Sequence, residues 1–174
     1  YGPDFCGRAE PLSYGRTISR DGVDVTLVPA GHVLGSAQAV VSHKGLTIAV
    51  SGDYKRRRDP TCLPFEPVRC HVFVTEATFG LPVFSHPPDG EEIDRLILST
   101  RQFPHRAHLV GAYALGKAQR VIRLLRERGW DRTIHVHGAL ARLNALYERE
   151  GVDLGPVAPA AGLPKDALAG EIAI

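Results

Sequence analysis

A chain of 174 residues, 44% apolar and 23% charged, has the composition of an ordinary soluble globular protein, with length for one domain or two small lobes. The formal charge of +2, from 21 basic and 19 acidic residues, excludes an argument for nucleic acid from net charge alone. Three cysteines, Cys6, Cys62 and Cys70, exclude a framework of paired disulfides, and no apolar run has the length to span a bilayer.

In chain order, VDVTLV at 23–28 reads as a strand by its β-branched content. PAGHVLG breaks it, and SAQAVVS at 36–42 reads as a second strand. His43, Lys44 and Gly45 form a plausible hairpin turn, with Gly45 free to take positive φ. LTIAVSG at 46–52 is the third strand. VRCHVFVTEA at 68–77 is the fourth, and its apolar run suggests cover on both faces. FGLPVFSHPPDG is a proline- and glycine-rich loop. Glu91–Ser99 reads as a helix with acids at its start. HLVGAY at 108–113 is a strand. LGKAQRVIRLLRERG at 115–129 is the best helix, with apolar positions 118, 121, 122 and 125 and Gly129 as its cap. TIHVHG at 133–138 is a strand, 139–150 a helix, and 168–174 the start of a further strand. This alternation implies a parallel α/β lobe.

Charge is unevenly spread. Residues 101–132 hold eight Lys/Arg against two acids, Glu127 and Asp131. Lys55, Arg56, Arg57 and Arg58 form a second cluster. Each is either a solvated surface or a phosphate-facing patch.

The hairpin sets the geometry of a candidate site. Residues 36–42 run away from the AGHVLG loop and 46–51 run back. His32 and Asp53, 21 positions apart, therefore lie at one edge of the sheet. Imidazole and carboxylate suit zinc, manganese or a related ion. Gly31, Gly35, Ser36 and Gly52 would let backbone approach a ligand closely. Glu76 ends the apolar strand HVFVT and emerges at a strand terminus, where α/β sheets place ligands. A hydrogen-bonded structural pair is the competing reading of His32 and Asp53. Two ligands also leave a metal site incomplete. His71, His135 and His137 fall within strands and read as packed or surface residues. Cys62 and Cys70 read as buried small hydrophobes.

Other stretches carry less chemistry. AYALGKAQR lacks the GxxxxGK[ST] pattern of a nucleotide P-loop. Gly116 and Lys117 still open a helix whose free N–H groups could meet an anion. Arg120, Arg123 and Arg126 continue at i+3 spacing around that helix. Ser36 sits in no GxSxG elbow. Phe79 and Phe84 read as core packing, with stacking against bases as the alternative. Free thiols and the lack of a basic-then-apolar opening segment give a cytoplasmic expectation. The chain opens on Tyr1 and holds no methionine, which reads as a portion of a longer protein.

Three blocks, PAGHVLGSAQ, SGDYKRRRDPTCLPFEPVRCHVFVTEATFGLPVF and AYALGKAQR, taken in this order, resemble the ligase-associated DNA exonucleases. These belong to the β-CASP group of metallo-β-lactamase-fold nucleases, with RNA 3′-end-processing endonucleases among their relatives. The resemblance runs from about Tyr14 to Leu154. It implies an α/β fold: a partial metallo-β-lactamase-type sheet lobe over 1–80, and most of an inserted β-CASP-type parallel α/β lobe over 81–174, cut short at its C-terminal end. It implies phosphodiester hydrolysis with two divalent ions, zinc or manganese. His32 matches a metal-binding histidine, Asp53 the aspartate that bridges two ions, and Glu76 the first β-CASP acid beside the scissile phosphate. DNA is the implied partner, with an ATP-dependent DNA ligase and a helicase as companions in repair, and no membrane. Lys55, Arg56, Arg57, Arg58, Lys117 and Arg120 are the expected contacts to the nucleic-acid backbone. The family's HxHxDH cluster does not occur in this sequence, and its later histidines have no good match. The chain is thus expected to be an internal portion of the enzyme, with little or no activity alone. An RNA nuclease or other hydrolase of the same fold, or a non-catalytic nucleic-acid-binding module, are the alternatives.

Overall fold

The computed structural model describes residues 10–174, so the Cys6 thiol lies outside the described residues. The chain divides into two compact units. One comprises Tyr1–Arg58 with Pro64–Ala77, the other Asp59–Leu63 with Thr78–Ile174. The class is α/β, with a mixed sheet in the first unit and a parallel sheet with helices in the second.

The first unit is a five-stranded sheet in the order β1-β2-β3-β4-β5. Its strands are β1 Thr17–Arg20, β2 Val23–Pro29, β3 Ala37–His43, β4 Leu46–Val50 and β5 Val72–Val74. The first four pair antiparallel, and β5 lies parallel to β4. Two tight turns shape it. Lys44 and Gly45 take φ of 46° and 82°, as the β3–β4 hairpin requires. Asp21 and Gly22 do the same between β1 and β2, with φ of 49° and 77°. The strand β1 is additional to those expected from sequence. β5 is far shorter than the expected 68–77, and it is not covered on both faces. Val72, Phe73 and Val74 are 45%, 44% and 50% exposed. An apolar run states what a strand could bury, and here pairing begins only at Val72. Just before it, His71 is occupied at the amino end of the strand: its Nδ1 accepts from the Thr47 N–H at 3.0 Å.

The second unit has a four-stranded sheet in the order β6-β9-β7-β8, parallel throughout. Its elements are α1 Asp89–Gln102, β6 His108–Leu109, α2 Lys117–Glu127, β7 Ile134–Val136, α3 Ala141–Arg149, β8 Val157–Pro159 and β9 Ile172–Ala173. α2 buries Ala118, Gln119, Ile122 and Leu125 on one face, and Gly129 closes it at φ 80°. The α2 guanidinium of Arg126 gathers loose carbonyls at the other side, donating to Leu154 O at 2.9 Å and Pro156 O at 2.7 Å. Burial pulls its pKa below the ordinary arginine value, opposed by Asp131 and Asp153. His137 is not within a strand. It follows β7, and its Nδ1 caps the short turn Gly138–Leu140 by accepting from the Ala139 N–H at 3.2 Å. Cys62 and Cys70 are half-buried rather than buried. Among the described residues, no helix is long and apolar enough to cross a membrane.

Candidate metal and nucleic-acid site

Three strand ends of the first unit meet at one edge of its sheet. β2 ends at Pro29, opposite the start of β3 at Ala37. β4 and β5 end together, with Val50 opposite Val74 and the Ser51 N–H donating to Val74 O at 2.9 Å. His32 follows β2, Asp53 follows β4, and Glu76 follows β5, so the topology delivers all three to that edge.

The loop from Ala30 to Ser36 is held by its own backbone. Ser36 Oγ accepts from the N–H groups of His32 at 3.0 Å and Val33 at 3.1 Å. A serine so engaged with two amides is a loop staple, consistent with the absence of a nucleophile motif around it. The Tyr14 hydroxyl donates to Ser36 O at 2.8 Å. Gly31 explains the close approach to the Asp53 loop. It takes φ 71°, and a Cβ there would lie 2.5 Å from Lys55 O and 2.6 Å from Phe65 N. The Lys55 N–H donates to Ala30 O at 3.0 Å, and the Lys55 ammonium reaches His32 O at 3.4 Å. On the far side, Gln38 is wholly buried and its Nε2 ties Pro29 O to Glu66 O, at 3.0 and 2.7 Å.

These contacts bring His32 Nε2 to 3.8 Å from Asp53 Oδ2, with the side chains 43% and 74% exposed. That separation is too long for a hydrogen bond and lies within the reach of an ion pair. Two donors each about 2.0–2.2 Å from a shared ion stand at most about 4.0–4.4 Å apart, so the separation is within the span of one divalent ion. The pair does not complete a metal site. No group of three or more His, Cys, Asp or Glu side chains able to hold a metal occurs among the described residues. Glu76 is half-buried at the same edge without joining such a group.

The basic candidates separate into different roles. Arg56, Arg57 and Arg58 are exposed, while Lys55 is half-buried and turned onto the His32 loop. Lys117 is exposed, with its ammonium 5.0 Å from the Tyr113 ring centroid. Arg120 is engaged elsewhere. Its guanidinium is 20% exposed and pairs with Asp89 and with Asp59, the latter at 3.5 Å and with a side chain only 2% exposed. Asp59 Oδ1 accepts in turn from the Thr61 N–H and hydroxyl, at 2.9 and 2.6 Å. A cation balanced by two carboxylates offers little to a phosphate. The start of α2 is also spoken for. The Gly116 N–H donates to Gln119 Oε1 at 2.8 Å, Lys117 N–H to Leu115 O at 3.0 Å, and Ala118 N–H to Tyr113 O at 3.1 Å. The expected anion-binding helix start therefore lacks those donors. Phe79 and Phe84 are not core residues. They are 61% and 45% exposed, stack edge-on at 5.3 Å, and Phe79 meets His86 in the same manner.

A mixed sheet whose strand ends present an open His–Asp pair, joined to a parallel α/β unit, makes an α/β scaffold. No family model matches the chain. Among curated proteins it is 34% identical over 143 residues to the endoribonuclease ysh1 of Aspergillus fumigatus, covering 79% of this chain and 16% of that protein. It is 28% identical over 135 residues to a probable DNA ligase of Opitutus terrae, covering 76% of this chain and 13% of the ligase. The chain thus spans about a sixth or less of the length of these relatives. A match covering 79% of the chain contains Asp53 and Glu76 wherever it begins. A solved structure of a protein of unknown function from Enterococcus faecalis V583 shares the fold, with TM-score 0.58 and 15% identity over 99% of this chain and 43% of that one.

Proposed function

We propose that this chain is an internal part of a β-CASP metallo-β-lactamase-type nuclease that hydrolyses phosphodiester bonds in RNA with divalent metal ions. The observation that carries the reading is the solvent-open His32–Asp53 pair at 3.8 Å, within a chain whose similarity to an endoribonuclease extends over most of its length. Electrostatics supports a cationic cofactor. Asp53 and Glu76 are carboxylates at the edge where a phosphodiester would arrive, and like charges repel. Zinc or manganese, held in part by His32 and Asp53, would reverse that local sign. Arg56, Arg57 and Arg58, directly after Asp53 in the chain, would add sequence-independent attraction for the backbone. Glu76 is assigned to the neighbourhood of the scissile phosphate.

Asp53→Asn in the full-length protein tests this. The amide keeps the shape and loses the charge, so cleavage should fall by about a thousandfold or more and metal content should drop. Full activity with unchanged metal content would remove Asp53 from the site.

A second reading is DNA exonuclease action beside an ATP-dependent ligase, favoured by the match to part of a probable DNA ligase. End-labelled RNA and DNA strands of one sequence separate the two. Internal cuts in RNA support the first, and stepwise loss from DNA ends supports the second.

A further inference from the structure

The second unit carries an aromatic–cation pair that neither its core nor the site above accounts for. β6 ends at Leu109, and the chain continues past the carboxyl edge of the parallel sheet, where Val110 N–H still donates to Ala173 O at 2.8 Å. Open α/β sheets accept ligands at that edge. There Gly111, Ala112, Tyr113 and Lys117 line an open hollow of about 280 Å³.

Tyr113 is 77% exposed, among the most exposed large side chains of the molecule. Its backbone is nonetheless pinned. Tyr113 O accepts from Ala118 N–H at 3.1 Å, and Ala114 O accepts from the buried Gln119 Nε2 at 3.0 Å. Gln119 is itself held by Asn144 at 2.8 Å. The ring is therefore displayed from a fixed loop, with Lys117 against one face at 5.0 Å. Two other cation–aromatic pairs differ. Trp130 beneath Arg132 is 6% exposed and out of reach of a ligand, and neither it nor Phe103 beneath Arg106 borders this hollow. The space over Gly111 is open, since a Cβ built there meets nothing within 4 Å.

We propose that Gly111, Tyr113 and Lys117 form a subsite for one unpaired nucleotide of a single strand. The base stacks on the open face of Tyr113, and a neighbouring phosphate lies by the Lys117 ammonium. An exposed aromatic beside a cation is the combination that binds single strands without reading sequence. The inference rests on the proposed nucleic-acid substrate and adds to it which strand form is gripped, and where.

Fluorescence anisotropy with the full-length protein tests it, using a short labelled single-stranded RNA and the same strand with abasic positions. Tyr113→Ala should weaken binding of the base-containing strand about tenfold, and Tyr113→Phe should retain it within about twofold, because stacking needs the ring and not the hydroxyl. On the abasic strand Tyr113→Ala should change nothing. Gly111→Leu, which the open space tolerates, should fill the hollow and weaken binding as Tyr113→Ala does. Lys117→Gln should lower the log–log salt slope by about 0.7 on both strands. Unchanged affinity in Tyr113→Ala, or an equal loss on the abasic strand, overturns the subsite while leaving the nuclease reading intact. A wild-type protein that binds neither strand overturns both.

Discussion

Among the described residues, the wholly buried apolar residues of the first unit are alanines, Ala30 and Ala49. In the second they include Ile122, Leu125, Ile134, Tyr147, Leu154 and Ile172. The first unit also leaves Leu46, Val50, Val72, Phe73 and Val74 between 39% and 50% exposed on β4 and β5. Its site loops are held by backbone contact at Gly31, by the Ser36 staple, by the buried Gln38 amide and by the Tyr54 ring, whose centroid lies 5.1 Å from that of Phe65 and 6.4 Å from that of Phe73. The second unit holds its loops over a packed core, with polar links such as Gln119–Asn144 and Asp59–Arg120 set into it. The two units should therefore fail differently: the first through changes to backbone space, the second through loss of a buried partner.

The largest expected effect is in the second unit. Arg120→Ala removes the cation facing Asp59, whose side chain is 2% exposed. Leaving a buried carboxylate without its partner costs about 3–5 kcal/mol, and a melting experiment should show it as a drop of many degrees. A loss below about 1 kcal/mol would mean that the remaining partners of Asp59, Thr61 among them, sustain the charge, and the contrast between the units would weaken.

Gly31→Ala is the counterpart in the first unit. The new Cβ would meet Lys55 O at 2.5 Å and Phe65 N at 2.6 Å, at a φ of 71°. Left-handed strain of about 1–2 kcal/mol adds to about 1–3 kcal/mol for forcing backbone apart. Gly129→Ala, at φ 80° with nothing within 4 Å, should show the strain alone. If the two alanine variants cost the same, the close approach of the His32 and Asp53 loops is not what holds the site. Nuclease activity gives a second readout, since only the Gly31 change should separate His32 from Asp53.

What was legible in the sequence follows the same division. The α2 face was readable because positions 118, 122 and 125 repeat at helical spacing, and all three are buried. The return of the β3–β4 hairpin was readable from Lys44–Gly45, and it is what carries His32 and Asp53 to one edge. The Asp21–Gly22 turn carried an equally good signal, yet β1 was missed because TISR is short, polar and mostly exposed. β8 was hidden in a tail rich in alanine and proline, where Pro159 is tolerated at the sheet's edge. The coverage of β5 was overread, since composition cannot say what lies on a strand. Asp59 and Arg120 are paired across a gap that no local pattern spans. With that partner unseen, Arg120 looked like one more surface cation. Tyr113 is hidden for a related reason: as the last residue of the expected strand 108–113 it reads as a strand residue until its exposure is known.

The smallest expected effect on stability, and the sharpest on binding, comes from the exposed run after Asp53. Replacing Arg56, Arg57 and Arg58 with Gln changes side chains that are all exposed, where an ion pair contributes little, so stability should change by about 1 kcal/mol or less. Lys55 is left in place, because its backbone and ammonium both contact the His32 loop and its removal would confuse a loop effect with a charge effect. If the three arginines face a nucleic-acid backbone, each lost phosphate contact should lower the log–log salt slope by about 0.7 for a single strand or about 0.9 for a duplex. Affinity at low salt should fall while metal content holds, since no arginine is a proposed ligand. The ratio of the effects on the two probes carries further information. A loss confined to single strands would assign the run to an unpaired strand. An equal loss on duplex would assign the run to double-stranded substrate as well. An unchanged slope on both would return the run to ordinary solvated surface, and the first unit would then contribute chemistry without grip.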